Sequence, residues 1–166
     1  DEAIKELARQ TYFNILKRKD NPKGIYEKNT DVRPLKGFSL PMILSNLVLE
    51  LEHILPSEEV EKTIDYSVNE VMEVFFDQQS GLIFENVLPD CSHHDSFNGR
   101  LLNPGHGIEA MWFMIDIGAR RNDPQLIKQA TQVIINILNH SWDQEYGGIF
   151  YFMDAKGYPP QQLEWD

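Results

Sequence analysis

Cationic side chains are scarce in this chain. Lys and Arg number 15 against 26 Asp and Glu, a formal net charge of −11 over 166 residues. No basic run occurs, which excludes the clustered Lys and Arg that binding a phosphate backbone requires. The same balance disfavours an acidic or membrane-surface ligand. Cysteine is nearly absent: Cys91 stands alone and can close no internal disulfide. That suits a reducing compartment, and a cytoplasmic location is expected. No apolar run approaches the roughly 18 residues a membrane span needs. His93-His94-Asp95 has no third spaced ligand, so no metal is expected. No Gly-rich phosphate cradle and no redox-cofactor motif is present. An initiating Met and a signal peptide are also missing, since the chain opens on Asp1 and stops at Asp166. Those ends read as cut edges.

What is present is globular. Apolar residues make up 42% and charged residues 25%, the proportions of a domain with a real core. Five helices are predicted. The first runs from Asp1 to Lys19, with Ile4, Leu7, Ala8, Thr11, Tyr12, Ile15 and Leu16 recurring on one face. The second spans about Ser39 to Leu55 and is apolar around most of its circumference. The third opens at Pro56-Ser57, with Ser57 as N-cap, and reaches about Phe76. A long irregular stretch over 77–103 holds short strands near Leu82–Val87; such a loop inside a domain is usually functional. The fourth helix starts at Asn103-Pro104-Gly105, with Asn103 as cap and Pro104 in the first turn. The fifth opens at Asp123-Pro124. The tail, Gly147 to Leu163, reads as a hairpin with Ile149–Phe152 as one arm and Asp154–Gly157 as the turn.

Amphipathic helices (first, third, fifth) thus alternate with nearly all-apolar ones (second, fourth). The former suit an outer layer and the latter an inner layer covered on both sides. A repeat supports this. Phe76-Asp77-Gln78-Gln79-Ser80-Gly81-Leu82-Ile83-Phe84 resembles Trp142-Asp143-Gln144-Glu145-Tyr146-Gly147-Gly148-Ile149-Phe150, at an offset of 66 residues. A weaker copy, Asp20 to Tyr26, lies 57 residues before the first of these. Each gives Asp-x-x-x-Gly and then an apolar step, in which Asp bonds local amides and Gly takes positive φ. The chain is read as helix pairs with a period of roughly 60 residues. Such pairs stay open as a solenoid or close into a ring. The long loops fall at one end of each pair, which favours a toroid with a site at its mouth. Six pairs would need about 360 residues, so residues 1–166 are expected to be the central portion of one such domain.

The chemistry concentrates in Asn103-Pro104-Gly105-His106-Gly107-Ile108-Glu109-Ala110-Met111-Trp112-Phe113. His106 and Glu109 are three apart and share one face of an inner helix. The helix N-terminus disfavours imidazolium, so a neutral ring is expected. A neutral imidazole backed by a carboxylate can act as general base near neutral pH. By spacing alone the pair also fits a helix cap with a surface partner, which is the commoner use. Two polar groups on an otherwise apolar helix must, however, face a buried partner or a cavity. Asn46 and Trp112, also on inner helices, are candidate binding residues, Asn46 as a hydrogen-bonding amide and Trp112 as a stacking surface, although core packing is the commoner role for Trp112. His53 and His140 lie near helix C-termini, where a charged imidazole needs no further role.

This block resembles the Pro-Gly-His-x-x-Glu-Ala-x-Trp signature of the N-acylglucosamine 2-epimerase family. Trp142 to Phe150 is similar to that family's Asp-x-x-x-Gly-Gly hairpin. Arg33-Pro34-Leu35, with the helix from Pro41 to Leu47, is similar to its Arg-Pro-Leu segment and the inner helix that follows. The resemblance implies an all-α (α/α)6 barrel, here incomplete and with short β-hairpins in its loops. It also implies a sugar 2-epimerase acting on an N-acylhexosamine, interconverting N-acetylglucosamine and N-acetylmannosamine. In the family a histidine of this block is one of two acid/base groups, which maps to His106; Glu109 would orient it or hold a hydroxyl. The second histidine and an N-terminal arginine have no counterpart in this chain, so the 166 residues alone are expected to be inactive.

No cofactor is required on this reading. ATP or another nucleotide is a candidate activator, with Arg33 as the matching residue. The partner expected is a small sugar, with neither nucleic acid nor membrane, and a homodimer is compatible with the sequence. The helix containing Pro41-Met42-Ile43-Leu44-Ser45-Asn46 favours the N-acylhexosamine branch over the cellobiose 2-epimerase branch, whose helix is histidine-rich. Alternatives are that second branch, an aldose–ketose isomerase on the same barrel, or a non-catalytic sugar- or protein-binding member. A glycosidase fits less well, because Glu50, Glu52 and Glu109 offer no convincing carboxylate pair.

Overall fold

A computed structural model describes residues 1–19 and 35–158. Five helices carry the architecture: α1 (Glu2–Leu16), α2 (Ser39–Leu51), α3 (Ser57–Asn69), α4 (Pro104–Arg121) and α5 (Pro124–Ser141). The capping chemistry sets their starts. Asp1 accepts from the Ala3 amide at 2.9 Å, and Asp123 accepts from the Gln125 and Leu126 amides at 3.0 Å. Asn103 Oδ1 accepts from the His106 amide at 3.2 Å, with Pro104 in the first turn of α4. Asn122, left-handed at φ 52°, ends that helix, a conformation Asn tolerates.

Helix α4 packs against α5 on one side and α2 on the other, and α2 in turn packs against α3. The inner helices α2 and α4 therefore join two helix pairs, α2/α3 and α4/α5. Phe38, Leu44 and Val48 from the α2 region and Met111, Met114 and Ile117 from α4 are fully or nearly fully buried. The two-layer expectation holds, with one difference. The stripe Gly105, Trp112 and Asp116 of α4 is open, and Trp112 is 56% exposed. On α2, Ile43 is also exposed. Helix α1 buries only Tyr12, whose hydroxyl meets Thr63 of α3 at 2.5 Å. Ile4 and Leu7 remain about two-thirds exposed, at 65% and 64%. Their apolar face has no cover among the described residues.

Three features depart from the sequence expectation. The third helix does not run straight to Phe76: after Asn69 it widens into a π turn, Glu70–Val74, closed by the Phe75 amide on the Glu70 carbonyl at 3.0 Å. The extra residue in that turn lets Glu70, Val71, Met72 and Phe75 all be buried. Ser57 is the first helical residue and not the cap; Pro56 occupies that position without a side-chain bond. The tail hairpin is also different. Its turn exists, with the Gly157 amide on the Asp154 carbonyl at 2.8 Å and Gly157 at φ 73°. Yet Ile149 bridges back to Trp142, and Met153–Asp154 pairs with Leu101–Leu102. An ion pair between Arg100 and Asp154 fixes that distant register. The rest of the tail lies outside the described residues.

Among the described residues there are three two-stranded ladders, all antiparallel. Strand β1 (Lys36–Gly37) pairs with β4 (Asn86–Val87), β2 (Phe76–Asp77) with β3 (Leu82–Ile83), and β5 (Leu101–Leu102) with β6 (Met153–Asp154). The repeat is realised in three dimensions. Phe76 opposes Ile83, and Trp142, its counterpart, opposes Ile149. The Asp77 carbonyl accepts from the Gly81 amide at 2.8 Å, and the Asp143 carbonyl from Gly147 at 3.0 Å. Both glycines have positive φ, 73° and 76°. The third copy, Asp20 to Tyr26, lies outside the described residues. No helix of the described residues is long and apolar enough to cross a membrane.

Candidate active site

The N-terminus of α4 carries the site. His106 sits in its first turn, anchored through its own amide to Asn103. Its side chain is 37% exposed, so one edge of the ring is open. The other edge is held: Nδ1 lies 2.9 Å from Glu85 Oε1. Glu85 comes from the segment between β3 and β4, and its side chain is only 14% exposed.

The backbone fixes Glu85 from two sides. Its amide donates to the Leu101 carbonyl at 3.0 Å, and its carbonyl accepts from the Phe38 amide at 2.9 Å. Leu101 leads into α4 and Phe38 into α2, so one residue ties the starts of both inner helices together. Asn86 adds a bond from Nδ2 to the Asn98 carbonyl at 3.0 Å.

Two sequence expectations change here. The partner of His106 is Glu85, and the Glu109 side chain forms no hydrogen bond among the described residues. Three-residue spacing places Glu109 nearby, but the ring points back to the ladder. The lowered basicity expected of a ring at a helix N-terminus is also not what results. The hydrogen bond that His106 donates to Glu85 holds the His106 pKa above its ordinary value of 6.5, opposed by burial and helped by the charges of Glu85 and Glu109. A fixed carboxylate at 2.9 Å outweighs the partial charge of the helix end.

Asn46 is half-buried on α2 and Trp112 lies on the open stripe of α4, its ring 5.4 Å from that of Phe113. Neither makes a side-chain hydrogen bond among the described residues. Arg33 lies outside them. No group of His, Cys, Asp and Glu in the described residues could hold a metal ion. His93 is occupied otherwise, its ring tilted against that of Phe84 with centroids 4.3 Å apart.

Glu85 was missed by reading motifs alone. A signal did exist. In the second copy of the repeat, Tyr151 occupies the equivalent place, so Glu85 is an acidic residue at the end of an otherwise apolar step.

Comparison with known proteins agrees with this frame. The family model described as N-acylglucosamine 2-epimerase (GlcNAc 2-epimerase) matches residues 1–165. The N-acylglucosamine 2-epimerase of Mus musculus is 35% identical over 133 residues, covering 76% of this chain and 32% of that protein. That of Bos taurus is 32% identical over 154 residues, covering 89% and 36%. The chain thus spans about a third of the length of these relatives. Among solved structures, the cellobiose 2-epimerase from Spirochaeta thermophila matches with a TM-score of 0.68 at 15% identity, over 93% of this chain and 40% of its own. A D-mannose isomerase matches at 0.61 and 14% identity, over 77% and 35%. These likenesses show the fold: the described helix pairs are an arc of an (α/α)6 barrel and form no closed ring.

Proposed function

The chain belongs to the N-acylglucosamine 2-epimerase family, and from that premise we propose that it is the central portion, residues 1–166, of a sugar 2-epimerase barrel. The substrate is an N-acylhexosamine, and the reaction interconverts the gluco and manno configurations at C2. The observation that carries this reading is His106, half-open at the mouth of an inner helix with one ring nitrogen held and the other available.

The chemistry follows from the sugar. Ring opening gives an aldehyde that acidifies the C2 proton. His106 accepts that proton and leaves an enolate, with its charge on the C1 oxygen and the acylamino group on C2. A second acid/base group then delivers a proton to the opposite face of C2, because a single base tends to return it to its own side. None of the residues that match the family here supplies that second group. Glu109, without a hydrogen-bond partner among the described residues, would hold a sugar hydroxyl. Asn46 and the exposed face of Trp112 would complete the sugar contacts. Arg33 would serve a nucleotide activator, and no cofactor takes part in the reaction. The whole protein acts on a free sugar, as a monomer or homodimer, in the cytoplasm, where the exposed Cys91 thiol stays reduced.

The test is to incubate the intact protein with N-acetylmannosamine in D2O and follow C2 by NMR. Deuterium at C2 with appearance of the gluco epimer, lost in His106→Ala, is the expected result. No exchange with N-acetylmannosamine but a ketose product from mannose in the same assay moves the assignment to an aldose–ketose isomerase. Absence of exchange overturns the reading.

A further inference from the structure

We infer that Glu85 is the positioning residue of His106: it fixes the ring as the Nδ1–H tautomer, so that Nε2 is the nitrogen that exchanges a proton with substrate. This deepens the proposed function and rests on it for the identity of the reaction, but not for the state of the ring.

An ionised carboxylate can only accept hydrogen bonds. At 2.9 Å from Glu85 Oε1, Nδ1 must therefore carry the hydrogen. In the neutral ring the lone pair then resides on Nε2, on the edge away from Glu85. When Nε2 takes the C2 proton, the ring becomes imidazolium with both nitrogens protonated. Glu85 then changes from an orienting partner to a counter-charge. Loss of that proton, to solvent or to the substrate of a turnover in the reverse direction, restores the neutral Nδ1–H form, so the cycle balances without any transfer to Glu85.

The scaffold suits this role. The two backbone bonds of Glu85 come from Phe38 and Leu101, and the His106 amide is bound to Asn103, two residues beyond Leu101. Carboxylate and ring are therefore set by the same short piece of ladder, and neither sits on a loose loop. The charged groups acting on His106 are Glu85 and, from its own helix, Glu109. Only Glu85 touches it. Glu109 contributes a field that favours the charged ring without selecting a nitrogen. This division separates the two carboxylates of the site: one sets the base, the other is left for the substrate.

The experiment pairs two measurements on the intact protein. Long-range 15N–1H NMR of His106 in wild type should show the neutral ring as the Nδ1–H tautomer, titrating above 6.5. Glu85→Gln should lower that titration, because a neutral amide replaces the charge. Glu85→Asp and Glu109→Gln should keep the tautomer. In turnover, Glu85→Gln should lose roughly 10²-fold or more in kcat with little change in KM. The acid limb of its pH profile should move down with the ring. If Glu85→Gln does not fold, a wild-type spectrum with Nε2–H as the neutral form overturns the inference by itself. A His106 titration unmoved by Glu85→Gln also overturns it, whether or not the protein epimerises sugar. A protein that shows the expected ring behaviour but no exchange at C2 supports the inference and sinks the function instead.

Discussion

Arg100 donates from Nε to Asp154 Oδ2 at 2.9 Å across 54 residues of sequence. Asp154 is buried, at 5% exposure, and its other oxygen accepts from the Lys156 amide at 2.8 Å. Arg100 also reaches Asp95 at 2.6 Å, and Asp95 accepts from Lys156 at 2.7 Å. The four side chains clasp the tail strand β6 onto β5, two residues before the Asn103 cap of α4. The approach to His106 is therefore held by a segment that sequence distance alone would place elsewhere.

Replacing Asp154 with Ala should unfasten this clasp. Arg100 keeps Asp95 as an exposed partner, so the cost is that of one buried charge-assisted bond, about 2 kcal/mol. Urea denaturation of the variant should show a lower midpoint at unchanged slope. Asp95→Ala, whose carboxylate is exposed, should cost well under half as much.

The buried Glu70 of the π turn depends on Lys36 of β1, whose Nζ is 2.8 Å from Oε1. Their side chains are 7% and 32% exposed. Lys36→Met should cost about 3 kcal/mol, because it leaves a buried carboxylate without its cation. Lys36→Met combined with Glu70→Leu should recover most of that loss. A double-mutant cycle by chemical denaturation measures the coupling, and additive losses would falsify the claim that the two groups depend on each other.

Two glycines should respond in opposite ways to alanine. A Cβ at Gly99 would stand 2.0 Å from the His94 carbonyl oxygen, a backbone atom that cannot rotate away. Gly99→Ala should therefore cost at least about 2 kcal/mol through displacement of the loop before β5. At Gly37 nothing lies within 4 Å of the added carbon, and Gly37→Ala should stay within about 0.5 kcal/mol of wild type. Thermal denaturation of the pair distinguishes a packing effect from a general intolerance of the ladders.

Much of this arrangement was legible in local chemistry. The Asn103-Pro104 and Asp123-Pro124 starts were readable because capping and proline placement are short-range effects. The Asp77 and Asp143 turns were readable because the same side chain, carbonyl and glycine recur at a fixed offset. The α2 and α4 interiors followed from apolar residues on most faces, although that rule overstated how far Trp112 is covered. What was not legible depends on long-range placement. The pairing of β5 with β6 joins segments about 50 residues apart and is set by Arg100 and Asp154. The π turn reflects the burial demand of Glu70 and Phe75 together. Glu85 reaches His106 only because the ladder folds back on α4, whereas helical spacing pointed to Glu109.

The pH dependence of stability should carry the signature of that last contact. The folded His106 pKa is raised above 6.5 by the hydrogen bond it donates to Glu85. Folding is therefore favoured by binding a proton there. The contribution is fully present below the unfolded value and is lost as pH rises through the folded one. Glu85→Gln removes the charge that creates the difference. Wild type should accordingly exceed Glu85→Gln in stability at pH ~6 by more than it does at pH ~9. Urea denaturation of both proteins at the two pH values measures the change. A gap that widens towards high pH would mean that burial of the neutral ring, and not its pairing with Glu85, governs this end of α4.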